Sequence, residues 1–486
     1  MNNSALHRMI QKRRMAIIIS FIIVLSILIS VFISTRNYKS GLLVIGEIFF
    51  LSVLILSVYN FVFGFYATMT FGFLAWTINR AFDSADLPIA LIVEIPAYVT
   101  LLGLIINKWG TKDVSFNYSR NIVAYSLFGY FIFLCLEFFN PEMLSFEGWS
   151  IFIRRFLLIL VSFFIALHVF ETTRSIVNFF KFWIILAFIS GLYACKQQWF
   201  GLFDFELNLI QFDKHKLGLL LIDGVLRKSS LFSDPATFGI TMAATFSLIL
   251  VLFLTDVTKK HKIKFLIVII VILLGVAYSG TRTAYFIIIS GVCLYILTTI
   301  NQFRTVVFSF FALFTFLILM YLPIYSNTTI NRIRSTFQFS NDASMNVRDV
   351  NRSSIQPYIY DHAFGGGLNT SGGTGAKYNA GHILADFPPD SGYVKAAIET
   401  GWVGLFLLCI IYFITLHYGF VTYFKCKNKI LKQYVFASNV CIFTFVIAQY
   451  SQEATDQFPG FFLFYSCLAV IVKARYINEK LNTIIS

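Results

Sequence analysis

The sequence predicts an all-α polytopic membrane protein with about 12–14 transmembrane helices and one long external loop that carries short helices. Of its 486 residues, 58% are hydrophobic and 13% are charged, whereas a soluble domain has about 25% charged residues. Apolar runs of about 17–25 residues recur along the chain, as membrane helices require. These runs are continuous rather than alternating, which excludes a β-barrel.

Fourteen apolar segments are long enough to cross a membrane. They are residues 15–35, 42–58, 61–78, 88–106, 121–139, 151–169, 181–200, 236–254, 264–279, 284–300, 305–325, 396–417, 433–449 and 458–473. The first follows Arg13 and Arg14 and is typical of a retained signal anchor rather than a cleaved signal. Residues 41–79 are open to two interpretations, a tight hairpin that turns near Asn60 or one span with a re-entrant piece.

Basic residues predict the orientation of these spans. Lys and Arg concentrate in alternate connections, for example at Arg13–Arg14, Lys259–Lys260 and Lys427–Lys429, and such connections face the cytoplasm. Both termini are therefore expected on the cytoplasmic side, and the net charge of +14 is mainly a topology signal that gives no reason to invoke nucleic acid.

The same orientation divides the chain into four parts. They are N-terminal spans (1–200), central spans (201–325), a large extracytoplasmic loop (326–395), and C-terminal spans with a short cytoplasmic tail (396–486). A polar loop as long as residues 326–395 is usually functional or disordered. We interpret it as the working part of a membrane enzyme. Within it, Arg332 and Arg334 alternate as in a strand or coil, and we expect them at the surface.

Arg282 is the first candidate catalytic residue. It lies in Ser279-Gly280-Thr281-Arg282-Thr283, a tight turn between two spans at the external membrane surface. Arginine at membrane depth is costly and often marks a function. The open backbone groups of the turn also suit an anion. The alternative is an interfacial anchor that extends its side chain toward lipid headgroups.

Three further arginines are candidate anion ligands. Arg227 lies at the outer entrance to the next span, where Asp234 before Pro235 is expected to be a structural helix cap. Residues 346–354 have helical composition, so Arg348 and Arg352 share one face, and two guanidinium forks suit a diphosphate. The alternative is a solvated basic face paired with Asp349 and Asp361.

The rest of the long loop offers less specific signals. The run Gly365–Gly375 contains Gly365 and Gly367, which are candidates to lay N–H groups against phosphates or sugars, although a mobile flap is the favoured interpretation. Asp390 is a candidate helix cap and a candidate general base for a sugar hydroxyl, and the two roles do not exclude each other. His382 is the other candidate base, with His362 less favoured.

Two neighbouring features have simpler interpretations. Lys395 and Glu399 have the spacing of an ion pair within one helix. The histidines are too far apart in the sequence for a metal site, and the seven cysteines lack metal-binding or disulfide spacing.

Taken in order, four stretches resemble the O-antigen ligase and polymerase family of membrane glycosyltransferases. They are Arg227 with 232–239, the turn 278–283, Arg348 through Gly367, and Asp390-Ser391-Gly392-Tyr393 through the Glu399–Leu405 stretch. The likeness covers about residues 190–420. It departs at Asp390, where the ligases carry a histidine.

The resemblance implies transfer of a glycan from a polyprenyl-diphosphate carrier to an acceptor sugar outside the inner membrane, with inversion and without a cofactor or metal. Arg282, Arg348 and Arg227 would stabilise the diphosphate, Asp390 or His382 would act as base, and Arg352, Tyr393, Gly365 and Gly367 would bind substrate. Asp390 favours a polymerase of O-antigen or exopolysaccharide repeat units over a ligase. Expected partners are the lipid-linked oligosaccharide, an acceptor glycan, membrane lipids and a chain-length regulator or flippase.

A transporter or flippase of the same lipids is the rival class of protein. Such a protein is expected to place charges at mid-membrane in broken or repeated helices. The arginines here gather at one membrane face, which favours the enzyme. The sequence leaves open the sugar, its linkage, the oligomeric state and the choice between polymerase and ligase.

Overall fold

The computed structural model describes residues 38–82, 89–109, 120–211, 220–222, 224–255, 262–321, 323, 327–337 and 343–485. Within these ranges there are eighteen α-helices, and thirteen of them are long and apolar enough to cross a membrane. The described strands form one short hairpin of Leu221–Ile222 (β1) and Val225–Leu226 (β2). The prediction of an all-α polytopic membrane protein is confirmed.

The membrane-crossing helices and the shorter helices follow one another in this order. They are α1 Tyr38–Tyr59, α2 Phe61–Phe82, α3 Ile89–Trp109, α4 Ile122–Leu136, α5 Phe146–Val169, α6 Thr173–Trp199, α7 Asp204–Gln211, α8 Pro235–Thr255, α9 Lys262–Ser279, α10 Arg282–Thr299, α11 Phe303–Tyr321, α12 Thr328–Ser335, α13 Ala343–Asp361, α14 Gly372–Tyr378, α15 Gly392–Glu399, α16 Gly401–Lys425, α17 Lys429–Ala448 and α18 Gly460–Ile485.

Thirteen of the fourteen predicted spans coincide with candidate membrane helices, and the first, 15–35, lies outside the described residues. The ambiguous stretch 41–79 is a hairpin of two helices. Asn60 joins them, since its side-chain oxygen accepts hydrogen bonds from the N–H groups of Val62 and Phe63 at 3.0 and 3.1 Å. That cap starts α2 directly after α1.

The core of the bundle lies around α8. In the apolar stretch of this helix 89% of the residues are buried, because α9, α10 and α17 pack against it. The C-terminal helix α18 is nearly as enclosed, at 83%. By contrast α11 is only 6% buried, so its phenylalanines face outward, as expected for a helix in contact with lipid.

The span predicted at 396–417 begins later than expected. Gly392–Glu399 forms the separate short helix α15, and the membrane helix α16 starts at Gly401. Gly401 has a φ of +66°, and a Cβ there would lie 1.9 Å from the carbonyl oxygen of Ala363. The chain therefore breaks here because only glycine passes so close to the preceding loop.

Several connections meet on one side of the bundle. We call this side the loop face and define it by residues 200–211, 220–234, 279–282, 327–337, 343–400 and 449–459, as far as they are described. An even number of spans separates its main segments, and direct contacts join them. Arg227 and Arg332 both reach the α9–α10 turn, and Arg352 reaches Tyr450.

Candidate active site

The turn between α9 and α10 holds two arginines through its main-chain carbonyl groups. The Nε of Arg227 donates to the carbonyl oxygen of Ser279 at 3.0 Å. The Nε of Arg332 donates to the next carbonyl, that of Gly280. Gly280 adopts a positive φ of +56° in this turn. The turn thus aligns two guanidinium groups from separate segments of the chain.

Arg227 is fixed by further contacts. Its NH2 group donates to the hydroxyl of Thr281 at 3.0 Å, and that hydroxyl donates to the carbonyl of Pro235 at 2.8 Å. From α2, Arg80 donates to the carbonyls of Ser230 and Phe232 and so anchors the segment that follows Arg227. The position of Arg227 therefore depends on three helices.

Burial and the neighbouring charge of Arg332 lower the pKa of Arg227 to about 10, while the carboxylate of Asp234 opposes this change. The side chain still carries its proton at neutral pH. Asp234 itself caps α8, since one carboxylate oxygen accepts from the N–H groups of Ala236 and Thr237, both at 2.9 Å. The predicted structural role of Asp234 is confirmed.

Arg332 is a site residue that the sequence analysis missed. It was expected at the surface in a strand or coil, but Thr328–Ser335 is a helix that begins with a cap at Asn327. Arg334 is also not at the surface, because it is 8% exposed and its Nε donates to the carbonyl of Leu319 at 2.9 Å. Arg332 and Gly280 are 52 positions apart in the sequence, so no local pattern predicts their contact.

Arg282 directly follows the turn as the first residue of α10, and it is partly buried. Thr281 occupies the cap position of that helix but makes no side-chain cap hydrogen bond. Its hydroxyl instead accepts from Arg227 and donates to the carbonyl of Pro235. We call Arg227, Arg282 and Arg332 the turn cluster. It concentrates positive charge beside two membrane helices.

A second group of charges lies on α13. Arg348 and Arg352 share one face, as predicted from their spacing. The Nε of Arg348 lies 3.8 Å from a carboxylate oxygen of Asp390. Arg352 donates to the hydroxyl of Tyr450 at 2.8 Å and to its carbonyl at 3.1 Å, and its guanidinium lies 4.5 Å from the centre of the Tyr450 ring. We call Arg348, Arg352, Asp390 and Tyr450 the helix cluster.

Asp390 is not the cap of α15. The cap is Ser391, whose hydroxyl accepts from the N–H groups of Tyr393 at 3.2 Å and Val394 at 3.4 Å. The carboxylate of Asp390 instead faces Arg348, and its side chain is 37% exposed. It is therefore accessible to a substrate. Arg352 also lies 3.9 Å from Asp349, one of the two partners that the alternative interpretation named.

An apolar groove of about 610 Å³ runs between α13 and the α15–α16 junction. Its lining includes Ile355, Ile359, Val394, Leu405 and Arg352. Tyr393 and Trp402 line it as well, and the hydroxyl of Tyr393 donates to the carbonyl of Val446 at 2.9 Å. Tyr393 thus offers a ring face to the groove while its hydroxyl is held by α17.

The glycine run is not a mobile flap. Residues 365–371 are buried, and the N–H groups of Gly366 and Gly367 donate to the carbonyls of Ile398 and Glu399 at 2.8 and 2.9 Å. The N–H of Gly365 donates to His362 at 3.1 Å. Since all three N–H groups have protein acceptors, Gly365 and Gly367 serve packing here, and the expected phosphate cradle is absent from this turn.

His382 packs against the same glycine turn rather than extending into solvent. It is 8% exposed, and its Nδ1 accepts from the N–H of Leu384 at 3.1 Å. Burial lowers its pKa, with Glu142 opposing and His362 adding to the effect. The ring is therefore mainly neutral at pH 7, but little of it is accessible to a substrate.

The predicted pair of Lys395 and Glu399 has other partners. Lys395 Nζ lies 3.0 Å from a carboxylate oxygen of Glu453. Glu399, 1% exposed, accepts from the hydroxyl of Ser371 at 2.6 Å. Among the residues that the structure describes, no group of three or more His, Cys, Asp or Glu side chains is arranged to hold a metal ion.

Fold and site together define a polytopic membrane protein that gathers arginines and an accessible carboxylate at one membrane face. A family model described as O-antigen ligase matches residues 265–409. The match contains the α9–α10 turn, α13 and Asp390, and it confirms the resemblance of this part of the chain to an O-antigen ligase- or polymerase-like family. A search of curated proteins finds none that matches this chain.

Proposed function

We propose that this protein polymerises surface polysaccharide repeat units. It would transfer a glycan from a polyprenyl-diphosphate carrier to a sugar hydroxyl of an acceptor glycan, on the external face of a bacterial inner membrane. The supporting observation is the arrangement of the helix cluster, in which an accessible carboxylate lies beside a guanidinium. The O-antigen ligase match supports this general type of activity.

The leaving group explains the need for several arginines. A departing lipid diphosphate develops negative charge, and preorganised donors at that position lower the barrier. Guanidinium groups bind phosphate oxygens in a fork, which suits them to this task better than lysine. The turn cluster and Arg348 are the candidate donors. The apolar groove beside Arg352 would receive the first isoprene units of the carrier.

Asp390 is the candidate general base. It would take the proton of the acceptor hydroxyl while that oxygen bonds to the anomeric carbon. The bond from the anomeric carbon to the diphosphate oxygen breaks, and the diphosphate leaves with the electron pair. Direct displacement inverts the anomeric centre. His382 suits this role less well, because it is buried and its Nδ1 already accepts a hydrogen bond.

A ligase is the second candidate function, and the description of the matching family favours it. The polymerase is preferred because Asp390 replaces the histidine of the ligase pattern. A transporter is less consistent with the site, since the turn and helix clusters both lie at the loop face. The chemistry proposed here requires neither a nucleotide sugar nor a metal.

The test is elongation by the purified protein in lipid. The protein is incubated with polyprenyl-diphosphate oligosaccharide, without nucleotide sugar or divalent metal, and glycan length is read on a gel. Arg282→Ala is expected to lower the rate of elongation about 10²–10³-fold. Asp390→Asn is expected to lower it about 10²–10⁴-fold. Arg304→Ala, at the opposite membrane face, is the matched control and should retain full activity.

Each outcome distinguishes the candidates. A ladder in the wild type and in Arg304→Ala, lost in Arg282→Ala, supports the polymerase. A single addition to a second acceptor indicates a ligase. A full ladder in Asp390→Asn excludes Asp390 as the base. Movement of labelled lipid across liposome membranes without elongation would support a transporter instead.

A further inference from the structure

The connection between α17 and α18 joins the two clusters of the candidate site. We call residues Gln449–Asp456 the bridging loop. The family match ends at residue 409, before this segment begins. Its polar residues nevertheless contact α5, α10, α13 and α15.

Two consecutive residues of the bridging loop connect the clusters. Tyr450 accepts both hydrogen bonds from Arg352 on α13. The hydroxyl of Ser451 lies 2.8 Å from the hydroxyl of Thr283, which directly follows Arg282 on α10. Adjacent Cα atoms are about 3.8 Å apart. The segments that carry Arg352 and Arg282 therefore meet at one peptide unit.

The bridging loop also holds the start of α15. The carbonyl of Gln449 accepts from the hydroxyl of Ser391 at 3.1 Å and from the N–H of Gly392 at 2.9 Å. Ser391 follows Asp390 directly. The segments that carry Asp390, Arg352 and Arg282 are thus all held by the same three residues, Gln449, Tyr450 and Ser451.

Buried contacts fix the conformation of the loop itself. The side-chain oxygen of Gln449 accepts from the N–H groups of Ala454 and Thr455 at 2.8 and 3.3 Å. Glu453 pairs with Lys395 on α15, and Asp456 lies 3.9 Å from Arg155 on α5. A loop anchored on both sides of Tyr450 and Ser451 is rigid enough to position other groups.

We propose that Tyr450 and Ser451 are positioning residues that hold the turn cluster and the helix cluster at the separation required by one diphosphate. Tyr450 restricts the guanidinium of Arg352 on the face of α13 that also carries Arg348. Ser451 fixes the first turn of α10, and with it the backbone of Arg282. This inference rests on the proposed function, because it assigns both clusters to one donor.

The test compares variants that remove single hydroxyl groups. Tyr450→Phe, Ser451→Ala and Thr283→Ala should each lose about tenfold in kcat/KM for the lipid-linked donor, the scale of a positioning hydrogen bond. Ser451→Ala and Thr283→Ala remove the same hydrogen bond. Their double variant should therefore lose no more than either single one.

Conservative variants and a surface control separate positioning from folding. Ser451→Thr and Thr283→Ser keep the hydroxyl groups and should recover activity. Ser354→Ala, whose hydroxyl bonds only within the exposed surface of α13, should match the wild type. Stabilisation by undecaprenyl diphosphate, read as a rise in thermal midpoint, should shrink in Tyr450→Phe and Ser451→Ala.

The inference and the proposed function fail in different ways. Wild-type kcat/KM and ligand stabilisation in Tyr450→Phe and Ser451→Ala, with an active wild type, would overturn the inference alone. Additive losses in the Ser451→Ala and Thr283→Ala pair would also contradict it. A wild type that neither elongates glycan nor is stabilised by undecaprenyl diphosphate would overturn both.

Discussion

At the scale of single residues, the loop face holds Arg227 and Arg332 close together by giving both of them main-chain acceptors. Arg227 and Arg332 donate to the consecutive carbonyls of Ser279 and Gly280. Neighbouring guanidinium groups repel each other, and burial adds to the cost of their charge. The lowered pKa of Arg227, about 10, reflects both effects. A bound anion would relieve them.

His382 provides a test of burial at this scale. Its pKa in the folded state lies below the ordinary value of a histidine, about 6.5. The unfolded chain then binds more protons as pH falls, so this histidine stabilises the fold above about pH 6.5 and the contribution is lost as pH falls further. Between pH 7 and pH 5, the thermal midpoint of His382→Gln should fall less than that of the wild type.

The measurement is thermal unfolding of both proteins in the same detergent at each pH. Comparison with the wild type cancels the contributions of other titrating groups. An equal fall in both proteins would mean that the folded structure accommodates a charged His382, and would reopen its candidacy as an accessible base.

At the scale of secondary structure elements, the break between α15 and α16 shapes the site. It allows the buried glycine turn at 365–367 to lie against the end of α15. Gly401 makes this possible, since its φ of +66° and the nearby Ala363 exclude a side chain. The junction is therefore a specific feature of this fold rather than a kinked helix.

Gly401→Ala tests the junction. The added Cβ meets the carbonyl of Ala363 at 1.9 Å, and a left-handed alanine costs roughly 1–2 kcal/mol before that clash is counted. A clear fall in the thermal midpoint is expected. Gly373→Ala is the matched control, because no atom lies within 4 Å of its added Cβ and it lies in α14. A harmless Gly401→Ala would contradict the close approach.

Lys395 is the charged link between α15 and the bridging loop. Burial acts to lower its pKa, but Glu453, Glu399 and Asp456 together outweigh burial and raise it. Burial raises the pKa of Glu399, while Lys395 opposes that rise. The three carboxylates therefore favour the charged form of Lys395, and Lys395 in turn favours the charged form of Glu399.

Lys395→Met should destabilise the protein by about 3 kcal/mol, the usual cost of leaving one partner of a buried pair without its counterion. In this variant Glu399 loses its cation, so its carboxylate should become still easier to protonate. The deficit should shrink as pH is lowered, because protonation removes the buried charge. Thermal unfolding of Lys395→Met, with and without Glu399→Gln, measures this. If the double variant is no more stable than Lys395→Met, the uncompensated charge of Glu399 is not the cause of the destabilisation.

At the scale of the whole molecule, the bundle gathers short segments that are far apart in the sequence. The central helix α8 packs against α9, α10 and α17, and these helices carry the α9–α10 turn and the bridging loop at their ends. The site is therefore built on rigid spans, which position groups more accurately than free loops. The long loop adds Arg332, α13 and the carboxylate of Asp390.

Cysteine labelling tests the orientation of this bundle independently of activity. Lys377 is exposed on α14 at the loop face, whereas Arg304 and Lys427 are exposed at the opposite face. In intact cells a membrane-impermeant maleimide should label Lys377→Cys but neither Arg304→Cys nor Lys427→Cys. Permeabilised cells should label all three, with the wild type as the blank. The reverse pattern would place the proposed site in the cytoplasm.

Hydropathy and charge in the sequence determined the class of protein, the described spans and the grouping of the polar segments on one face. These properties follow from the membrane, which demands continuous apolar runs with internally bonded backbones. The shared face of Arg348 and Arg352 also followed from local spacing, because helical periodicity depends only on neighbouring residues.

Tertiary structure decided which polar groups meet. The contacts of Arg332 with Gly280, Lys395 with Glu453, and Arg352 with Tyr450 each join residues 52 to 98 positions apart. No local pattern encodes such pairs, so Arg332 was assigned to the surface and the bridging loop received no role. The glycine turn was interpreted as a flap for the same reason: its composition permits mobility, and only its packing against Ile398 and Glu399 fixes it.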